Sequence, residues 1–277
     1  MIEVISKNLV KLKQEFRHSY SGNSQIQEVV PLTKSELFPI DQNNLNTLHM
    51  FAAKNPIYYN SYEKKINGVD CMVYEGDINK YWLNSISHGE SYQPFSPTWI
   101  LSAYIITSIV KELNYNEVVD VCSGDGRIGY CGKFLGLDSH AIEIDDMLVD
   151  LEKSICQSSQ IDFNPICADA INFDYTNLNL HNPVFFIGGL AQMGGDVLAS
   201  GIIKNLDSKL KQKTCMVFAG SYSEKYSFSD TSHAGWGKLI DINNLKIIKS
   251  VTLPTVWSFD QTAVSYTHLT LPTTSRV

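Results

Sequence analysis

The chain has 277 residues, 44% of them hydrophobic, which is room for one full domain, a modest addition and a real core. A net charge of −7 and a pI near 5.5 argue against a large nonspecific nucleic-acid footprint, which needs a basic face, but leave room for a local basic patch. The six cysteines, at 71, 122, 131, 156, 167 and 215, show no C-x-x-C spacing, so neither a zinc site nor a disulfide framework is indicated. No metal is expected, and reduced thiols in a cytoplasmic protein are the simplest reading. No secretory signal is visible at MIEVISKNLVKLKQEF, and no apolar run reaches the roughly 20 residues of a membrane helix.

In chain order, Ile2, Ile5, Leu9, Leu12 and Phe16 recur at helical spacing and predict an amphipathic helix over 2–19. A second helix is expected within 33–54, with Leu45, Leu48, Phe51 and Ala52 inward. Residues 65–74 read as a hairpin, because Asn67-Gly68 readily fills both positive-φ positions of a type I′ turn. Together these make an accessory α+β lobe over residues 1–92. Tyr58, Tyr59, Tyr62, Tyr81, Trp82 and Tyr92 crowd it, either as lobe core and interface or as a platform that stacks on a base or clamps a substrate. A strong helix is then predicted over 97–113, capped by Ser96 with Pro97 in its first position, its stripe formed by Ile100, Leu101, Tyr104, Ile105, Val110 and Leu113.

The stretch EVVDVCSGDGRIGYCGKFLGLDSHAIEID, residues 117–145, spells strand, glycine turn, helix, strand and acid. Val118 and Val119 supply a β-branched run, and Gly124 and Gly126 allow torsions and close approaches that a Cβ forbids. A helix over 127–135 and a strand over 140–143 follow, and the Glu143 carboxylate ends that strand where it can accept from two ribose hydroxyls. Gly124, Gly126 and Gly129 technically match G-x-G-x-x-G, but Asp120 and Asp125 put negative charge where a pyrophosphate would sit, and so favour a cationic ligand.

This segment resembles motif I, D-h-G-x-G-x-G, of class I S-adenosylmethionine-dependent methyltransferases, with Cys122 standing at the first glycine position. The resemblance implies S-adenosyl-L-methionine as cofactor. Asp120, Ser123, Gly124 and Gly126 would hold its methionine part, Glu143 its ribose, and Asp169, in Pro165-Ile-Cys-Ala-Asp169, its adenine amino group. Read by itself, Asp169 is equally a cap or turn residue. The preceding Pro94-Phe-Ser-Pro97-Thr98 resembles a turn shared by archaeal and mitochondrial protein-lysine methyltransferases and by adenine-N6 nucleic-acid methyltransferases. That likeness implies that Phe95 and Thr98 lie beside the methionine end.

Further on, Asp145 can cap a helix whose buried face carries Met147, Leu148, Leu151 and Ile155. A buried strand over 183–190, a helix over 197–210, a strand over 215–220 and an antiparallel pair over 245–253 and 256–262 complete an alternating α/β pattern. The implied fold is a doubly wound, Rossmann-like, seven-stranded methyltransferase sheet over residues 93–263, its last strand truncated, beside the smaller lobe. The reacting methyl would face the segment 188–195, where Gln192 can position an acceptor and Asp196 can take a proton or serve as helix N-cap; no catalytic residue is named. Adenine-N6 enzymes carry N/D-P-P-Y/F after this strand, whereas Asn182-Pro183-Val184-Phe185 here precedes it.

The likeness therefore leans towards a protein lysine as methyl acceptor. An adenine-N6 nucleic-acid methyltransferase and a noncatalytic binding protein with the same fold are the alternatives, and no membrane partner is implied. Val264 to Thr273, VSYTHLTLPT, resembles one reading frame of a transposon-type sequencing adapter, so residues 264–277 are expected to be a non-native tail on a chain truncated near Thr262.

Overall fold

The computed structural model describes residues 2–81, 95–218 and 228–254, and the backbone of 265–272. Helix α1 (Ile2–Ser19) buries Ile2, Ile5, Leu9, Leu12 and Phe16, as the spacing predicts. Strand β1 (Ile26–Pro31), which sequence pattern did not expose, pairs antiparallel with β3 (Val69–Gly76), and β3 pairs with β2 (Tyr58–Ile66), giving the order β1-β3-β2. The β2–β3 turn has Asn67 at φ 49° and Gly68 at φ 79°, the conformation the Asn-Gly pair predicts. Helix α2 (Gln42–Lys54) packs Leu45, Leu48, Phe51 and Ala52 inward, with the Asp41 carboxylate accepting from the Asn43 N–H at its start.

Helix α3 (Ile100–Glu112) begins three residues later than the sequence suggests, and neither Ser96 nor Pro97 belongs to its first turn. Its N-cap, Trp99, offers no side-chain acceptor; the Ile100 N–H is instead satisfied by a carboxylate from β1, a tertiary bond that local capping rules cannot anticipate.

Five parallel strands form the centre: β4 (Glu117–Val121), β5 (Asp138–Glu143), β6 (Pro165–Cys167), β7 (Pro183–Ile187) and β8 (Cys215–Phe218), ordered β6-β5-β4-β7-β8. Between them run α4 (Arg127–Phe134), α5 (Asp146–Ser159), α6 (Gly195–Asn205) and α7 (Ser208–Lys211). The expected single helix over 197–210 is thus two, broken where Asp207 turns its carboxylate onto the N–H groups of Lys209 and Leu210. Helix α8 (Trp236–Ile242) leads into β9 (Leu245–Leu253).

The sheet continues past β8 through an antiparallel pair, with β10 (Ser265–Pro272) between β8 and β9. The expected partner over 256–262 lies outside the described residues. The strand that fills this place comes from the 264–277 segment expected to be a non-native tail; its Tyr/Thr/Leu run is strand-forming, and β10 pairs with both β8 and β9.

Strand alternation divides the core in two. Val118, Ala141, Val184, Phe186, Cys215 and Val217 face one side, where they join the buried residues of α1, α2, β1–β3, α3, α4 and α5 in one continuous cluster, so among the described residues no core boundary separates the first 81 from the parallel sheet. Val119, Val121, Ile142, Phe185, Ile187, Met216 and Phe218 face the other, under α6, α7 and α8. No helix among the described residues is long and apolar enough to cross a membrane.

Candidate functional site

The carboxyl ends of β4, β5, β6 and β7 lie side by side, and the turn after β4 is the most tightly constrained of them. Cys122, Gly124 and Gly126 all adopt left-handed backbone, at φ 54°, 64° and 71°. The chain therefore keeps the geometry of a glycine turn even though Cys122 occupies a glycine position, at a conformational cost of about 1 kcal/mol. Cys122 is accessible, and its thiol is pushed well above its ordinary range by the surrounding protein and by the carboxylates of Glu143, Asp120 and Asp169.

Glu143, at the end of β5, is buried and spans to this turn: Oε2 accepts from the Gly124 N–H at 3.0 Å, and Oε1 accepts from the N–H groups of Ile144 and Asp145 at 2.8 and 3.1 Å. Burial raises its pKa, and the three backbone donors oppose that rise. A carboxylate offers about four lone-pair positions, so one remains for a ligand rather than the two that ribose pairing by both hydroxyls requires. Ile144, immediately after it, is 37% exposed and presents an apolar surface at the same strand end.

Asp120 is buried beneath the turn, where Oδ2 accepts from the Gly129 N–H at 3.2 Å; desolvation pushes its carboxyl well above the usual range. It braces the turn from behind. Ser123 is also buried, and its Oγ has no hydrogen-bond partner.

Asp125 overturns part of the charge argument. Its carboxylate turns away from the strand ends into a fully buried network: Oδ1 takes the Arg127 Nε–H at 2.8 Å, and Oδ2 takes Nη2 of Arg127 and, at 2.9 Å, the Asn55 amide of the lobe. Its charge is spent on Arg127 and does not favour a cationic ligand. Arg127 further donates to Glu28 Oε2 at 3.0 Å and to the Thr98 carbonyl, and its guanidinium lies 5.5 Å from the centroid of the Phe51 ring.

Phe95 and Thr98 do meet the glycine turn. The Phe95 ring lies directly on Gly124, where an added Cβ would come within 2.7 Å of the ring. Thr98 contributes its carbonyl to Arg127. Asp169, beyond β6, is exposed, and its oxygens accept from the Ile171 N–H at 2.9 Å and the Asn172 amide at 2.6 Å, which is the geometry of a turn residue.

In the segment after β7, Gly188 approaches the Cys122 carbonyl so closely that a Cβ would lie 2.8 Å from its oxygen, and at Gly195 a Cβ would lie 2.5 Å from the Gly189 carbonyl oxygen. Asp196 is not the N-cap of α6: Gly194, at φ 93°, holds that position, and Asp196 sits in the first turn with Oδ1 accepting from the Val197 N–H. The Gln192 side chain lies outside the described residues.

Four contributors escaped the sequence reading: Glu28, Asn55, Arg127 and Glu152. Glu28 carried a faint signal, an acid directly before the β-branched pair Val29-Val30. Glu152, on α5, is fully buried with neither oxygen hydrogen-bonded; burial drives its pKa far up, and Ser123 is the neighbour that most favours ionisation, although no bond of standard geometry joins them. Among the described residues no group of three or more His, Cys, Asp or Glu is arranged to hold a metal ion.

No protein-family profile matches this chain, and no curated protein sequence does. Among solved structures, it is similar to a tRNA (uracil-54, C5)-methyltransferase of Pyrococcus abyssi in complex with S-adenosyl-L-homocysteine, at 14% identity and a TM-score of 0.44 over 76% of this chain and 43% of that one. It is similar to an S-adenosylmethionine-dependent methyltransferase of Clostridium acetobutylicum, at 11% identity and a TM-score of 0.43 over 61% of this chain and 89% of that one. The mitomycin 7-O-methyltransferase is similar at 11% identity and a TM-score of 0.47, over 63% and 54% of the two chains. This chain spans 43% of the Pyrococcus enzyme and 48% of a tRNA m1G37 methyltransferase of M. jannaschii. At this level of likeness the functional reading rests on the site's own residues.

Proposed function

We propose that this chain is an S-adenosylmethionine-dependent methyltransferase whose acceptor is a protein lysine. One observation carries the reading: the Gly124–Glu143 bridge ties a left-handed glycine turn to the acidic end of the neighbouring parallel strand, with Cys122, Ile144 and Asp169 accessible along the same edge. The donor set fits a nucleoside. Glu143 keeps one acceptor position for a ribose hydroxyl, Ile144 offers an apolar contact for a base, and Asp169, with one bond on each oxygen, still has lone pairs for an amino hydrogen. Gly124 and Gly126 let the backbone approach the methionine portion, Ser123 supplies an uncommitted hydroxyl, and Phe95 shields that end from water.

The cofactor supplies a sulfonium methyl, and transfer needs chiefly an in-line acceptor in a desolvated site. Asp196, in the first turn of α6, and Gln192 are the residues that would orient the acceptor amine or receive its proton. The lysine reading over adenine is supported by the Asn182-Pro183-Val184-Phe185 sequence, which stands at the amino end of β7, opposite Glu117 and away from the glycine turn, where it cannot serve as an adenine-N6 motif.

Calorimetric titration with S-adenosylmethionine, followed by incubation of labelled cofactor with fractionated lysate, tests both levels. Absence of measurable binding sinks the enzyme reading. Binding without transfer of label favours a noncatalytic binding protein, and label in nucleic acid overturns the lysine acceptor.

A further inference from the structure

Glu28 lies on β1, in the lobe, yet is 0% exposed and joins three elements through a single oxygen. Its Oε2 accepts from Arg127 Nη1 at 3.0 Å, from the Ile100 N–H at 2.9 Å and from the Tyr58 hydroxyl at 3.4 Å. Ile100 opens α3, directly after the turn that carries Phe95 and Thr98. Arg127 opens α4, directly after the glycine turn. The lobe holds that turn at a second point, since Asn55, the C-cap of α2, binds Asp125. The two segments that meet where the Phe95 ring rests on Gly124 are thus pinned to each other by a residue from outside the parallel sheet.

We propose that the N-terminal lobe is a working part of the cofactor site, with Glu28 as the positioning residue that fixes the glycine turn against the Phe95–Trp99 segment. This deepens the methyltransferase reading and rests on it for the identity of the ligand. The charged and titratable groups facing Glu28 are Arg127 and Cys131 from α4, Asp125 from the turn, Lys13 from α1, Tyr58 from β2 and Tyr74 from β3. Desolvation pushes Glu28 up to about 7, with Arg127 the main opposing influence. Above that pH the carboxylate is charged and pairs with Arg127; below it the charge is lost and the hydrogen bond weakens, leaving Asp125 as the charged partner of the guanidinium beside the Thr98 carbonyl.

The sign for stability is opposite. A carboxyl raised in the fold favours the folded state while it stays protonated there, and that advantage disappears as pH rises from its unfolded value through about 7. Loop positioning and global stability therefore respond to Glu28 in different directions, a split that a merely structural residue does not give.

The test compares wild type with Glu28→Gln, which keeps the acceptor and loses the charge, and Glu28→Leu, which loses both. Hydrogen exchange of the 124–129 amides and S-adenosylmethionine affinity are measured at pH 6 and 8, with urea stability as control. Glu28→Leu is expected to weaken affinity about tenfold or more and to speed exchange similarly at pH 8. In Glu28→Gln stability at pH 8 is maintained or raised while affinity falls about two- to fivefold, and the difference from wild type vanishes at pH 6.

If wild type binds no cofactor but both variants speed exchange at the turn, the positioning role stands and the cofactor reading falls. If wild type binds and neither variant changes exchange or affinity, the positioning role is overturned and the cofactor reading survives. Should Glu28→Leu fail to fold, the pH-dependent split in Glu28→Gln decides alone.

Discussion

The Gly124 N–H donates to Glu143 Oε2 at 3.0 Å, so the carboxylate that the proposed function assigns to a ribose is also the one that shapes the glycine turn. Replacing Glu143 then has two consequences. Glu143→Ala strands the N–H groups of Gly124, Ile144 and Asp145 and is expected to cost about 2–4 kcal/mol in urea unfolding, together with loss of measurable cofactor binding. Glu143→Gln faces at least one of these donors with an amide NH2, so it too weakens binding. Calorimetry returning wild-type affinity for Glu143→Gln would remove Glu143 from the proposed site.

Cys122 holds a left-handed conformation that costs a non-glycine residue about 1 kcal/mol, partly offset by the greater unfolded-state freedom of glycine. Cys122→Gly should therefore hold or raise the thermal midpoint, by up to about 1 kcal/mol in stability. Cys122→Val, β-branched at φ 54°, should lower it by more. A melting series in which Val equals Gly would show that the turn relaxes freely.

Gly124 and Phe95 are coupled by contact. Gly124→Ala places a Cβ 2.7 Å from the ring at a positive φ, and is expected to destabilise by about 1–3 kcal/mol and to impair binding. Phe95→Leu in the same chain should recover part of that loss, because the steric share is removed while the backbone share remains. Strict additivity in the double-mutant cycle would mean the two do not touch.

Glu152 makes the pH prediction explicit. Its carboxyl is raised in the fold from an unfolded value of about 4.3, so both states are protonated at low pH. As pH rises, the unfolded state ionises first, and stability falls until the folded carboxyl also ionises. Glu152→Gln removes that penalty and should be more stable than wild type at pH 8, by at least about 1 kcal/mol, and no more stable at pH 4. Urea midpoints at the two pH values check it; a variant less stable than wild type at pH 8 would show that the carboxylate has a partner in solution.

Legibility tracked how local each signal was. The α1 stripe, the Asn67-Gly68 hairpin, the 117–145 run and the Asp145 cap were all readable because their determinants lie within a few residues of each other. The start of α3 was misplaced because its first N–H is satisfied by Glu28, 72 positions away. Asp125 was misread for the same reason. Sequence neighbours suggested an open negative charge, while the folded chain brings Arg127 back onto it and Asn55 across from α2. Asp196 went from possible cap to first-turn acid because Gly194 reaches φ 93° two residues earlier.

The near contact between Gly188 and the Cys122 carbonyl has a meaning for how this site could change over time. At Gly188, where β4 and β7 meet, main chain faces main chain and no side chain fits. Substitution there can break the junction but cannot retune it. Any drift in ligand preference must come from the side chains around it, at Cys122, Ile144, Asp169 and the segment carrying Phe95, so the junction is a fixed die and its surroundings are what selection can recut.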